Sequence, residues 1–108
     1  MAVSLPKAVE AYFGASNAHD ADAVAMSFAA DGTVQDEGKM HRGRAEIGAW
    51  ARETIRKYRT MLTPLGVSGN EGSAVVRTNV SGTFPGSPIE LTFNFDFGDQ
   101  GIRSLEIG

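Results

Sequence analysis

The stretch Ile89-Glu90-Leu91-Thr92-Phe93-Asn94-Phe95-Asp96-Phe97 decides the fold. Large apolar side chains at every second position alternate with polar ones, the period of a strand with one face buried and one face wet. Five large apolar groups thus share one sheet face and need a cover. The segments around this strand follow the same grammar. Arg59 to Ser68, Ser73 to Phe84 and Ile102 to Ile107 read as further strands, separated by Gly69-Asn70-Glu71-Gly72, Pro85-Gly86-Ser87-Pro88 and Gly98-Asp99-Gln100-Gly101. Turn residues at that spacing favour an antiparallel meander.

The cover lies upstream. Ser4 is placed to cap a first helix with Pro6 in its first turn, and Leu5, Ala8, Val9, Tyr12, Phe13 and Ser16 recur at helical spacing. Asn17-Ala18-His19 breaks the pattern. Asp20 is the expected cap of a second helix whose stripe is Ala21, Val24, Ala25 and Phe28, with Asp31-Gly32 as its end. Thr33 to Glu37 reads as a short strand that turns through Gly38-Lys39 into an extended piece around Met40 and His41. A third and longest helix, from Arg44 to about Tyr58, places Ile47, Trp50, Ala51, Thr54, Ile55 and Tyr58 on one face. Three helices followed by hairpins predict an α+β cone, with the helices packed in the concave face of a curved, mainly antiparallel sheet.

The 108 residues carry no composition break, so residues 1–108 read as one domain. A net charge of −3 argues against nucleic acid as the main partner, since phosphate binding leaves a basic footprint. No apolar run approaches a membrane span, and Met1 to Leu5 does not read as a signal peptide. Together with the absence of cysteine, which fits a reducing compartment, this predicts a cytoplasmic location.

Strand alternation puts Asp36 on the face of Val34, away from Thr33, Gln35 and Glu37. A carboxylate turned toward an apolar core resists ionisation and suits proton transfer next to a carbonyl; the alternative is a sheet-edge residue paired with His41, Arg42 or Arg44. Tyr12 reads as an amphipathic core residue or as a pocket phenol. Trp50 and Tyr58, two turns apart, either line a cavity or fill the core, and Phe93, Phe95 and Phe97 supply more aromatic surface than a small core needs. His19 is expected to be exposed. His41, beside Arg42-Gly43-Arg44, reads as a pocket rim or a solvated helix start. Neither histidine has a partner at metal-ligand spacing, so no metal is expected. No phosphate loop or nucleophile elbow is present.

The stretches Ala11-Tyr12-Phe13, Asp20-Ala21-Asp22-Ala23-Val24, Phe28 to Asp36 and His41 to Ile47 resemble the nuclear transport factor 2 superfamily, and within it the ketosteroid isomerases and SnoaL-like polyketide cyclases. The resemblance covers residues 5 to about 55, with agreement in strand pattern beyond. It implies that Asp36 is the proton-shuttling base, that Tyr12 binds an oxyanion, and that Phe28 stands where a second, supporting tyrosine would be. In ketosteroid isomerase a protonated aspartate completes such a pair. That aspartate falls at Phe93, which cannot donate a hydrogen bond, leaving Tyr12 alone or helped by Asn79, Trp50 or water. The resemblance also implies a small apolar carbonyl ligand, no cofactor, and a homodimer formed through the outer sheet face. Hydration chemistry would need a histidine near Asp36, for which neither His19 nor His41 is obviously placed.

Overall fold

The computed structural model describes residues 4–108, so the reading of Met1 to Leu5 falls largely outside it. Pro6 opens α1, Lys7–Asn17, with its constrained φ. Ser4 lies upstream and does not cap, since the helix start carries no side-chain hydrogen bond. Val9, Tyr12, Phe13 and Ser16 form the buried stripe of α1. Asp20 caps α2, Ala21–Met26, by accepting from the Ala23 amide at 3.0 Å.

The second helix stops earlier than its stripe predicts. The Ser27 hydroxyl donates to the Val24 carbonyl at 2.6 Å, and the Ser27 carbonyl accepts from the Ile102 amide at 3.0 Å, drawing the chain into the sheet. Phe28 therefore begins β1, Phe28–Asp36, as a strand residue and not a helical one. The first inward position of the strand coincided with the next position of the helical stripe, which periodicity alone cannot resolve. Asp31 and Gly32 sit inside β1 at a register shift, where a Cβ on Gly32 would lie 2.9 Å from the Ile102 carbonyl.

Glu37 and Gly38, both at positive φ, make the two-residue turn into β2, Lys39–Arg42. The pairing sets Val34 opposite His41 and Asp36 opposite Lys39. At the start of α3, Gly43–Tyr58, the Glu46 carboxylate accepts from the Arg42 amide at 2.9 Å. Arg59, in the left-handed region, ends the helix. The meander then runs through β3, Met61–Asn70, β4, Ser73–Ser81, β5, Ile89–Gly98, and β6, Gly101–Ile107. The strand order β2-β1-β6-β5-β4-β3 makes one six-stranded sheet, antiparallel except where β1 pairs parallel to β6. This is the α+β cone the sequence predicts.

On the concave face Phe93 and Phe95 are buried against α1, while Leu91 and Phe97 pack at the margin of the core. Ile89, the first of the alternating residues, is exposed. The outer face carries Arg77, Thr92, Asn94 and Glu106 and is largely polar. No helix among the described residues is long and apolar enough to cross a membrane.

Candidate functional site

A cavity of about 390 Å³ opens between the helices and the concave sheet face, in the size range of small-molecule pockets. Asp36 is brought there by the tight β1–β2 turn, Tyr12 and Ser16 by α1, Trp50, Thr54 and Tyr58 by α3, and Leu91 and Phe93 by β5. Apolar walls from Val24, Leu62, Val80 and Phe84 complete it.

Asp36 is half buried, and the Trp50 indole N–H donates to its Oδ2 at 3.1 Å. Among the described residues it forms no salt bridge: Arg44 is turned to the Phe28 carbonyl at 3.0 Å, and Arg42 engages Glu46 through its backbone. Burial raises the carboxyl above its usual range. The Trp50 hydrogen bond opposes this, Glu37 adds to it, and His41 and the Glu37 backbone bring it down. The result is an acid that holds its proton more tightly than a surface aspartate.

Tyr12 is 2% exposed, and burial followed by the nearby Asp36 charge raises its phenol far above its ordinary value. It is therefore a neutral donor at any working pH. Its hydroxyl meets no hydrogen-bond partner among the described residues, yet no fully sealed side-chain polar atom lacks one. The hydroxyl consequently opens on the cavity that Tyr12 lines. The ring is held edge-on to Phe13, Phe28 and Phe95 at centroid distances of 5.5, 6.1 and 5.5 Å.

The structure thus brings Asp36, Tyr12, Trp50, Tyr58 and Phe93 to one cavity. Phe93 stands beside Tyr12, with ring centroids 6.3 Å apart. Three further residues do not line it. Phe28 and Phe95 lie behind Tyr12 and support its ring, their own faces consumed by the core. Asn79 is a correction: inward positions on β4 are Ala74, Val76, Thr78 and Val80, so alternation turns Asn79 to the outer face, too far round to donate into the cavity.

His19 departs from its sequence reading, whereas His41 takes the rim position that was one of its two readings. His19 is half buried, and its Nε2–H donates to the Thr60 carbonyl at 2.9 Å. His41 stacks on Trp50 with centroids 6.0 Å apart and lies close enough to Asp36 to influence its charge. The signal was available in the hairpin register: a residue opposite Val34 shares the face of Asp36. His41 also lines a second, charged groove with Lys39, Glu46, Glu53 and Lys57, which meets the apolar cavity at Asp36, Glu37, Trp50, Thr54 and Tyr58. Among the described residues no cluster of three or more His, Cys, Asp or Glu side chains is arranged to hold a metal.

The SnoaL-like domain model matches residues 9–103. A structure from Sinorhizobium meliloti, named as a putative polyketide cyclase, is 39% identical with a TM-score of 0.91, covering 96% of this chain and 95% of that one. A ketosteroid isomerase-like fold from Catenulispora acidiphila, in complex with trimethylamine, superposes with a TM-score of 0.85 at 21% identity, over 97% of this chain and 86% of that one. A Xanthomonas campestris pv. campestris protein, again named a putative polyketide cyclase, gives 0.79 at 24% identity over 93% and 85% of the two chains. The last two likenesses speak to the fold alone. No curated protein matches the sequence. With the family model spanning nearly the whole cone and the 39% identical relative superposing along its full length, the chain belongs to the SnoaL-like domain family, on a nuclear transport factor 2-like fold.

Proposed function

We propose that the cavity binds a small apolar carbonyl compound and that Asp36 moves a proton at the carbon next to the carbonyl. The observation that carries this is a half-buried carboxylate that accepts from one indole N–H, on the same apolar cavity as a phenol with no hydrogen-bond partner among the described residues. Asp36 takes the proton as the C–H bond breaks. The electron pair becomes the enolate double bond, and the Tyr12 hydroxyl donates to the oxygen on which charge develops. Return of the proton to another carbon shifts a double bond; alternatively the enolate carbon attacks a second carbonyl, the first carbonyl reforms, and the new alkoxide takes the proton from Asp36 as the ring closes. The name of the Sinorhizobium meliloti relative favours the ring-closing variant. By the same reading the chain is a homodimer that pairs through the outer sheet face.

A second reading, a ligand-binding or assembly module without chemistry, is favoured by Phe93. It stands beside Tyr12 with no hydrogen to donate, and a missing oxyanion donor costs about 10² to 10³ in rate. The deciding experiment follows deuterium uptake from D2O into cyclohex-3-en-1-one by NMR. The proton-transfer reading expects uptake by the wild type and none above background by Asp36→Asn; equal uptake by both proteins would sink it.

A further inference from the structure

Besides the half-buried Thr54 and Tyr58, two buried side chains away from Asp36 bring hydroxyls to the cavity. Ser16 and Thr60 are each 7% exposed and both line it. Neither side chain makes a hydrogen bond among the described residues, whereas other hydroxyls of this protein do, such as those of Ser27 and Thr78. Since among the described residues no fully sealed polar side-chain atom is left without a partner, these two hydroxyls reach the cavity space. A hydroxyl that opens on the cavity and is not engaged by the described residues can both donate to and accept from a group that arrives with the ligand.

The placement is rigid. Ser16 follows Tyr12 by one helical turn on the buried face of α1. Asn17 then pairs both backbone groups of Leu62, donating to its carbonyl at 2.8 Å and accepting from its amide at 2.7 Å. His19 donates to the Thr60 carbonyl at 2.9 Å. These bonds lock the end of α1 to the start of β3 and hold the two hydroxyls in place. They also set the ends of the cavity apart. Asp36 and Trp50 lie by the β1–β2 edge, whereas Thr60 follows the end of α3, at the opposite edge of the sheet. The helix rises about 12 Å from Trp50 to Tyr58.

We propose that Ser16 and Thr60 form a second polar subsite that binds a hydroxyl or keto oxygen at the end of the ligand remote from the reacting carbon. The ligand class is then an elongated compound of two or three rings, apolar along its body and oxygenated at both ends. This deepens the preceding reading and rests on it, because it places the reacting end of the ligand at Asp36.

The test compares binding of 2-naphthol and 2,6-dihydroxynaphthalene by titration calorimetry. The wild type is expected to bind the diol about two- to twelvefold more tightly, the worth of one neutral hydrogen bond, beyond the twofold that its symmetry supplies. In Ser16→Ala/Thr60→Val that added preference disappears while the 2-naphthol affinity stays. The melting temperature of the unliganded variant is expected to hold, since neither hydroxyl makes a hydrogen bond among the described residues; a fall would mark them as structural and overturn the subsite. An unchanged diol preference in the variant, or none in the wild type, overturns the subsite but leaves the Asp36 reading standing. If neither naphthol binds, both fall.

Discussion

At Asp36 opposing influences meet, and their balance sets the chemistry of the site. Burial favours the protonated form, while the Trp50 indole and the nearby His41 favour the carboxylate. A base of this kind works above its own pKa, so activity rises with pH through a value higher than that of a surface aspartate. Trp50→Phe removes an influence that lowers the pKa, and the acidic limb of the rate profile is expected to move to higher pH; a limb that stays in place would count against the hydrogen bond. The same shift has a cost in stability. Between the ordinary 3.8 and the folded value, the native protein holds a proton that the unfolded chain has released, so stability falls as pH rises across that window. Asp36→Asn should therefore lose deuterium exchange by about 10² or more while melting higher at neutral pH than the wild type. Tyr12→Phe separates the roles differently. Among the described residues the phenol has no hydrogen-bond partner to lose, so calorimetric stability should be nearly unchanged while exchange drops about 10² to 10³.

Short-range elements owe their positions to a few polar clamps. Asn17 imitates a neighbouring strand by satisfying both backbone groups of Leu62 at the edge of the sheet. Asn17→Ala leaves that amide and carbonyl half buried and unpaired, with an expected loss of about 1 to 3 kcal/mol in denaturant unfolding. On the other side of the cone, Gly32 lets β1 approach β6 through the shift in its register. An added methyl would press on the Ile102 carbonyl, which is backbone and cannot turn aside. Gly32→Ala is expected to cost about 1 to 3 kcal/mol, and an unaffected midpoint would show that β1 can move. Because β1 delivers Asp36, the same variant should also weaken naphthol binding.

For the whole molecule the open issue is what the outer sheet face meets. It carries a weak Arg77–Glu90 pair at 3.5 Å and a Ser104 hydroxyl donating to Asp96 at 3.1 Å, with Thr92, Asn94 and Glu106 beside them. Such a surface pairs through polar contacts and bridging water more than through a dry apolar core. Light scattering is expected to return a mass near twice 11.5 kDa, and that mass should fall as salt is raised. A protein of 11.5 kDa at all concentrations would remove the homodimer.

The helices and strands were legible because their signals are local. The alternation from Ile89 to Phe97, the stripe of α1 and the Asp20 cap each depend on residues within a turn or a strand of one another. Phe28 was misread for the same reason: a helical stripe and the first inward position of a strand look alike until Ser27 is seen bonded to both Val24 and Ile102. The outward turn of Asn79 was within reach of alternation along β4, once the strand's buried face was known. By itself the sequence determined which faces are apolar, and hence the cone and the inward turn of Asp36. Only the tertiary structure decided that Trp50 holds that carboxylate, that His41 stacks beside Trp50, and that Ser16 and Thr60 line the same cavity. Those meetings join segments from about 10 to more than 40 residues apart, and packing, not local propensity, chooses which such segments touch.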